Sequence, residues 1–213
     1  CFDGNVWYGQ GKVDESNPTY CQSKNKQVCA NVATTNFNLT GIWPKKYVNK
    51  STIMSSTLTY VDYPWPVIRL SGLYLYYAEA LNECGESYDK VLSYINPIRA
   101  RAGIPDVETS WDTYTTSPGK YRTQEGLRQI IHRERAVELC FEGQRFWDLR
   151  RWKEAYNELN APFTGWTLSE ETAELYFSES LIFASTFDIK DYFWPVPNLE
   201  IFANPNTLQN YGW

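Results

Sequence analysis

The side chains best suited to chemistry lie between residues 131 and 152, where acids and arginines alternate. Four carboxylates occur there with five arginines: Glu134, Glu138, Glu142 and Asp148 with Arg133, Arg135, Arg145, Arg150 and Arg151. Two carboxylates can hydrolyse a glycoside when one is protonated and the other is ionised. Each acid here has an arginine within one helical turn, and such pairing lowers a carboxylate pKa, which opposes the role of general acid. The pattern favours salt-bridged structural residues, and no catalytic residue is predicted.

Three of these acids, Glu134, Glu138 and Glu142, follow each other at four-residue spacing and therefore lie along one stripe of a helix. Like charges at this spacing repel each other. The stripe predicts that arginines from a facing helix neutralise it.

Other catalytic and cofactor chemistries lack the residues that they need. His132 is the only histidine, and neither an E-x-x-H pair nor a C-x-x-C pair occurs, so zinc and di-iron sites of the usual spacing are excluded. A calcium site made of oxygens alone stays open, although nothing points to one. A serine or cysteine nucleophile would need His132 as its base, and no Gly-rich phosphate loop occurs. No metal and no cofactor are predicted.

The charge of the chain bears on its partners. The formal net charge of −5 argues against a nucleic-acid partner, because phosphate binding needs a basic face. No run of about eighteen apolar residues occurs, so no membrane-spanning segment is predicted.

Aromatic residues make up 16% of the chain, with nine Trp and sixteen Tyr. Their rings offer large apolar faces with a polar tip, on which sugar rings can stack. The aromatics in predicted loops are the candidate ligand contacts, because binding residues concentrate on loops held by a scaffold. These candidates are Trp7, Tyr8, Trp43, Trp65, Trp111, Tyr114 and Trp166. Packing in the protein interior is the alternative for each of them.

The five cysteines cannot all pair with each other. Cys84 and Cys140 fall in helical segments and are expected to be buried. Cys21 and Cys29 lie in a polar loop and are compatible with a local disulfide in an exported protein. Cys1 is compatible with the acylated first residue of a lipoprotein, but the residues after it do not form a polar tether, which favours a truncation point.

A helix hairpin is predicted from residue 67 onwards. The apolar stripe of its first helix recurs at three and four residues: Leu70, Leu73, Tyr74, Tyr77, Ala78 and Leu81. After a turn at Gly85, a second helix begins at Tyr88 and ends at Gly103, although Pro97 should kink it. The span of roughly 34 residues has the dimensions of a tetratricopeptide repeat.

A second hairpin follows, with Thr123 as the N-cap of its first helix and Gly143 at its corner. Its apolar positions also recur at helical spacing: Leu127, Ile130, Ile131, Val137, Leu139, Phe141, Phe146, Leu149 and Trp152. This hairpin ends near Leu159.

The remaining segments are less regular. Residues 1–66 are predicted to form a loop-rich aromatic segment with short strands at 27–32 and 56–61. Residues 106–122 are predicted to connect the hairpins, and a further strand is predicted at 181–187. The chain divides into this first segment, the hairpins at 67–160 and an irregular segment at 161–213. We expect a mainly α fold of tetratricopeptide-like helix hairpins, with long irregular loops and a few short strands, in one structural unit.

Three motifs resemble those of the SusD/RagB family, in the family's order. The longest is ER-x-x-EL-x-x-EG-x-R-x-x-DL-x-RW, here Glu134-Arg135, Glu138-Leu139, Glu142-Gly143, Arg145, Asp148-Leu149 and Arg151-Trp152. An N-x-[VI]-R-x-RAG motif precedes it, here Asn96, Ile98, Arg99, Arg101, Ala102 and Gly103. The chain closes with Trp194-Pro195-Val196-Pro197, Glu200-Ile201, Asn204-Pro205 and Gln209-Asn210.

A TG…KKY-like stretch at residues 41–47 extends this resemblance to residues 41–213, while residues 1–40 have no such support. Family members are usually more than twice as long, so the chain looks like a C-terminal half. The family's binding residues lie outside its motifs, and the resemblance names none of them.

The resemblance implies a glycan- or nutrient-binding lipoprotein on the outer surface of Bacteroidetes. Such a protein is not an enzyme; it captures oligosaccharide and delivers it to a SusC-like TonB-dependent outer-membrane transporter. A lipid anchor is then expected in the full-length protein, on the extracellular face of the outer membrane. The alternative is a helical-repeat protein-interaction scaffold without a glycan site, and a third possibility is a glycoside hydrolase.

Overall fold

The computed structural model describes residues 2–3, 43–44, 46–47, 49, 51, 61–167, 170 and 172–213. In this part of the chain the helices are α1 (Leu70–Glu83), α2 (Tyr88–Arg101), α3 (Val107–Tyr114), α4 (Gln124–Glu138), α5 (Gln144–Arg151), α6 (Ala155–Leu159), α7 (Ala173–Tyr176) and α8 (Asn198–Ala203). The strands are β1 (Phe2–Asp3), β2 (Trp43–Pro44), β3 (Phe163–Trp166) and β4 (Glu179–Phe183). The prediction of a mainly helical fold with a few short strands is confirmed.

The chain forms two compact units. The helical unit comprises residues 64–147, and the terminal unit comprises residues 1–63 and 148–213. The boundary between the two units falls within α5. This division differs from the three segments that the sequence pattern predicts, and those segments stay a prediction. None of the described helices has both the length and the apolar character to cross a membrane.

The predicted hairpin of α1 and α2 is present, but the stripe predicted for α1 is correct only in part. Ala78 and Leu81 are buried as predicted, whereas Leu70 and Leu73 are 62% and 52% exposed. The face that packs on α2 and α4 also contains Ser71, Leu75 and Asn82, which the predicted stripe did not include. This face contains polar residues, whose burial hydrophobicity alone does not reveal. Asn82, for example, donates from Nδ2 to the Gln124 carbonyl at 3.0 Å.

Helix α2 follows its prediction closely. Ser87 caps it by accepting a hydrogen bond from the Lys90 amide at 3.4 Å, as Ser does at helix N-termini. Its apolar positions Val91, Leu92, Ile95 and Ile98 are buried and join the main hydrophobic core of the helical unit. The helix continues through Pro97 to Arg101.

The connection predicted as a loop at 106–122 contains helix α3. Asp106 caps this helix by accepting from the Thr109 amide at 2.7 Å, as Asp does at helix N-termini. A short 3-10 helix, Lys120–Arg122, follows it. Thr123 then caps α4 by accepting from the Gly126 amide at 3.1 Å, as predicted.

The corner between α4 and α5 occupies residues 139–143. Gly143 has a φ of 73°, the left-handed conformation predicted for it. The predicted apolar stripe is correct for Leu127, Ile130, Ile131, Leu139 and Leu149, which are buried. It is wrong for Val137, Phe141 and Phe146, which are exposed. Cys84, expected to be buried, is also exposed, because it is the residue that caps the C-terminal end of α1.

The terminal unit has its own small core of Leu149, Ala155 and Phe187, with Leu159 and Tyr192 packed against it. Strands β3 and β4 pair antiparallel, and the rings of Phe163 and Phe183 stack 4.4 Å apart. The strand predicted at 181–187 is therefore real but begins at residue 179 and ends at 183. Strands β1 and β2 also pair antiparallel. The predicted strand at 27–32, nearly all of the one at 56–61, and Cys1, Cys21 and Cys29 lie outside the described residues.

Candidate functional site

Glu138 lies at the centre of an ion-pair network in the helical unit. Arg101 places Nη2 2.7 and 2.8 Å from the two oxygens of its carboxylate. Arg69, just before α1, places Nη2 2.8 Å from Oε1 of Glu138 and 2.7 Å from Oε1 of Glu142. Burial alone would raise the pKa of Glu138, but the hydrogen bonds from Arg101 and Arg69 oppose this effect and hold the pKa below its usual value. Glu138 is therefore an ionised structural carboxylate.

Glu134, one turn before Glu138, behaves differently. Arg99 donates to it from Nη1, while the same guanidinium also binds Ser110 Oγ at 2.6 Å and the Pro105 carbonyl at 2.7 Å. Burial nevertheless raises the pKa of Glu134, against the attraction of Arg99. The expectation that arginine pairing lowers the pKa of every acid in this stretch is thus wrong for Glu134, because the cost of burying its charge exceeds the gain from the ion pair.

The opposite pKa shifts of Glu134 and Glu138 resemble those of a general acid and a base. However, Arg99 holds the first carboxylate, and two arginines hold the second. A substrate would have to displace these arginines. The prediction that arginines from facing helices neutralise the acidic stripe is confirmed, and the network connects two separate sequence motifs.

The other residues of these motifs also make structural contacts. Asn96 accepts from the Val107 amide at 3.0 Å and donates to Glu108 at 2.9 Å, which ties α2 to the start of α3. Arg135 is 1% exposed, with its guanidinium 3.9 Å from the centre of the Tyr76 ring. This arrangement is a buried cation–π contact.

Two motif residues of α5 act within the terminal unit. Asp148 is buried and accepts from Nε of Arg151 at 2.9 Å, while the Arg151 guanidinium lies 4.8 Å from the Trp152 ring centre. Arg145, on the same helix, is half-buried.

In the closing motif, the side-chain amides of Gln209 and Asn210 form hydrogen bonds with the backbone of Val196 and Trp194. The side-chain amide of Gln209 accepts from the Val196 amide at 2.7 Å and donates to the Val196 carbonyl at 2.9 Å, as a paired strand would. Asn210 donates to the Trp194 carbonyl at 2.6 Å. The Trp194 and Pro195 side chains are themselves exposed.

The aromatics predicted as ligand contacts do not form one cluster in the described part of the chain. Trp65 is exposed before α1, and Tyr114 is exposed on α3. Trp111, also on α3, packs against the core with Lys120 Nζ 4.9 Å from its ring centre. In the terminal unit Trp166 meets Phe177 edge to face at 5.0 Å, and Trp43 lies in β2. Trp7 and Tyr8 lie outside the described residues.

Trp111 and Tyr114 are therefore helical, not loop, residues. As ligand contacts, all seven aromatics stay a prediction.

A cavity of about 190 Å³ lies beside Arg69, lined also by Tyr76, Leu139, Glu142 and Gln144. Tyr76 donates to Gln144 there at 2.9 Å. Ligand pockets usually measure about 300–1,000 Å³, so this cavity is small for an oligosaccharide. Over the described ranges, no three His, Cys, Asp or Glu side chains converge as metal ligands would.

Sequence reasoning missed Arg69, which binds two of the three striped acids. It lies outside the predicted motifs, and only the unbalanced charge of the stripe pointed to a further cation. The helical period could not say which residue would supply it.

The chain matches the SusD family over residues 1–213. SusD-like protein P2 of Formosa agariphila is 31% identical over 144 residues, which are 67% of this chain and 24% of that protein.

Among solved structures, BT4246 superposes with a TM-score of 0.74 at 26% identity, over 90% of this chain and 32% of that one. A SusD-like carbohydrate-binding protein of Bacteroides fragilis gives a TM-score of 0.61 at 29% identity, over 81% and 34% respectively. The chain thus spans about a quarter to a third of these relatives.

Proposed function

Because this chain belongs to the SusD family over residues 1–213, we propose that it binds oligosaccharide or a related nutrient for uptake and does not hydrolyse it. Its likeness to a SusD-like carbohydrate-binding protein, at 29% identity, supports a glycan as the ligand. The resemblance of its closing motif to that of the family agrees with this assignment.

The observation that favours binding over hydrolysis is the arginine network. A glycosidase needs an accessible acid and an accessible carboxylate that flank the scissile bond. Glu138 is held by Arg69 and Arg101, and Glu134 by Arg99. These acids stabilise the packing of three helices and are not free to receive a substrate.

The cellular setting is part of the proposal and rests on the family. In the full-length protein we place a lipid anchor, a location on the extracellular face of the outer membrane, and delivery of the ligand to a SusC-like TonB-dependent transporter. The contacts proposed for the sugar remain the aromatic candidates of the sequence, foremost the exposed Trp65 and Tyr114.

Native affinity electrophoresis of the full chain tests the binding function. Gels would contain starch, xylan, laminarin, galactomannan, alginate or polygalacturonate, with serum albumin as the non-binding control. We expect retardation by at least one polysaccharide and unchanged chain lengths of that polysaccharide after long incubation. Shortened chains would establish hydrolysis and overturn the proposal, as would migration that no polysaccharide of a wider panel alters.

A second candidate, an interaction scaffold without a glycan site, is favoured by one observation. Helix α1 leaves Leu70, Leu73 and Tyr77 exposed, and exposed apolar surface often marks a protein contact. Stable co-purification with the transporter, combined with no polysaccharide binding, would support this scaffold.

A further inference from the structure

The terminal unit contains an open cleft of about 440 Å³ that no sequence motif indicated. It is lined by Tyr156, Asp188, Ile189, Lys190 and Tyr211. Its volume falls in the range of small-molecule sites, about 300–1,000 Å³. The five residues come from three separate stretches of the chain, at α6, at the 3-10 helix Ile189–Tyr192 and near the C-terminal end.

The backbone next to the cleft is held by hydrogen bonds. Phe187, just before Asp188, is 5% exposed, and the Asn160 side chain binds both its amide, at 2.8 Å, and its carbonyl, at 2.9 Å. The Asp188 amide donates to Oδ2 of Asp191 at 2.7 Å, which fixes the start of the 3-10 helix. The Tyr156 amide donates to the Tyr192 hydroxyl at 3.3 Å. The lining residues therefore sit on a preorganised backbone, as a binding site requires.

The wall that carries Tyr211 is positioned by the two residues after it. The Trp213 indole donates to the carbonyls of Lys190 and Phe193, at 3.1 and 3.0 Å, and Lys190 Nζ lies 4.7 Å from the Trp213 ring centre. Gly212 has a φ of 84°, and a Cβ there would lie only 2.7 Å from Lys190 Cβ. Glycine is therefore required at this point for Tyr211 to reach the cleft.

The cleft presents the groups that a sugar uses. Tyr156 and Tyr211 are 50% and 79% exposed, and a sugar ring can place its apolar C–H face on a phenol ring. Asp188 offers carboxylate oxygens that accept from hydroxyls, and Lys190 offers an ammonium that donates to them. One negative and one positive group leave the lining without net charge. An acidic sugar would bring its carboxylate close to that of Asp188.

We infer that this cleft is a binding subsite for neutral oligosaccharide, with Tyr156 and Tyr211 as stacking platforms and Asp188 and Lys190 as hydroxyl contacts. This inference rests on the proposed glycan-binding function and adds its location and the charge class of its ligand. Sequence reasoning missed both tyrosines, because neither belongs to a motif and their common cleft depends on the tertiary fold.

The variants Tyr156→Ala and Tyr211→Ala test the subsite in the full chain, with Phe202→Ala of α8, 79% exposed and outside the cleft, as the matched control. The probe is whichever neutral polysaccharide among starch, xylan, laminarin and galactomannan most retards the wild type. We expect each tyrosine variant to raise Kd about tenfold, a loss of about 1.4 kcal/mol, with unchanged thermal unfolding. The control should bind as the wild type does.

The outcomes separate the two proposals. If the wild type binds but both tyrosine variants bind equally well, or if it binds only alginate or polygalacturonate, the cleft assignment is wrong and the glycan-binding function stands. If the wild type binds none of the polysaccharides, the proposed function fails and the cleft assignment fails with it.

Gly212→Ala tests the positioning of Tyr211 without altering a lining side chain. The added methyl should displace residues 211–213 from Lys190 and weaken neutral-polysaccharide binding to the level of Tyr211→Ala. Because the cleft lies outside the buried core, thermal unfolding should change little. Wild-type affinity in Gly212→Ala would show that Tyr211 does not depend on this contact.

Discussion

At the scale of single residues, Glu138 and Glu142 share one arginine. Arg69 contacts both carboxylates, and Arg101 contacts Glu138 alone. Most of the side-chain surface of Arg69, Glu138 and Glu142 is buried. Removing the ion partner of any of them should therefore lower the free energy of unfolding by more than it would at an exposed site. The contribution of this network is therefore to stability, and its loss can be measured apart from ligand binding.

Glu142→Ala should lower the free energy of unfolding by about 1–3 kcal/mol, because it leaves part of the Arg69 guanidinium without its anion. Urea denaturation measures this loss. Glu86→Ala is the matched control, since Glu86 makes an exposed pair with Lys90 at 3.0 Å and should cost less than about 0.5 kcal/mol. Polysaccharide affinity of the folded Glu142→Ala protein should equal that of the wild type; equal stability with lost binding would move Glu142 into the ligand site.

The opposite pKa shifts of Glu134 and Glu138 predict opposite pH dependences. The pKa of Glu138 is lowered in the folded protein, so its stabilisation is present above the unfolded value and is lost as the pH falls through the folded pKa. The pKa of Glu134 is raised, so stability falls as the pH rises from the unfolded value through the folded pKa.

Urea denaturation between pH 3 and 7 should show both effects. Glu138→Gln should flatten the loss of stability in acid below the ordinary glutamate value of 4.5. Glu134→Gln should remove a decline of stability above that value. Parallel pH curves for the two variants would contradict the assigned shifts.

At the scale of elements, the caps and corners were predictable and the buried faces were less so. Thr123 and Gly143 carry local signals that act over a few residues, and both predictions are confirmed. Helix α3 was missed because Val107 is its only fully buried residue, which leaves no apolar stripe to detect. The buried face of α1 was predicted only in part, because Glu79 and Asn82 are buried against polar partners on α4, Arg135 and the Gln124 carbonyl, which hydrophobicity does not indicate.

Asn96 connects α2 to α3 through both polar atoms of its side chain: Oδ1 accepts from the Val107 amide, and Nδ2 donates to Glu108. Asn96→Ala should destabilise the protein by about 1–2 kcal/mol, the usual cost of losing a side-chain contact to a helix start. Asn96→Asp keeps an acceptor for the Val107 amide but faces the Glu108 carboxylate. Its stability should therefore recover when Glu108→Gln is added, and a double-mutant cycle by urea denaturation checks this. Additive losses would contradict the contact.

At the scale of the whole molecule, the described residues form two hydrophobic clusters, one in each unit, that share no residue. The mainly helical architecture followed from periodicity and motif order. The cleft did not, because Tyr156, Lys190 and Tyr211 are brought together only by the fold of the terminal unit. Periodicity reports local structure and carries no information on which distant stretches meet.

The separate cores predict separate losses of protection from hydrogen exchange. Ile95→Ala removes a fully buried side chain and should cost about 2–5 kcal/mol, with faster exchange in α1, α2 and α4. Phe187→Ala should instead speed exchange around residues 155–160 and 187–192. Leu181→Ala, at an exposed site, is the control. The same exchange pattern in both core variants would contradict independent clusters.

The corner that joins α4 to α5 has a further consequence, for the evolution of the sequence. The Glu142 amide donates to the Leu139 carbonyl at 3.1 Å, and Phe141, third in this turn, has a φ of 63°. A left-handed conformation at that position belongs to a type II turn, which favours Gly or Asn, and it costs a phenylalanine about 1–2 kcal/mol. The chain thus retains backbone strain at Phe141. Gly143, two residues later, adopts a similar left-handed conformation without that cost, because it has no Cβ. Position 141 is where a single substitution to glycine could relieve strain while leaving Glu142 and its arginine in place.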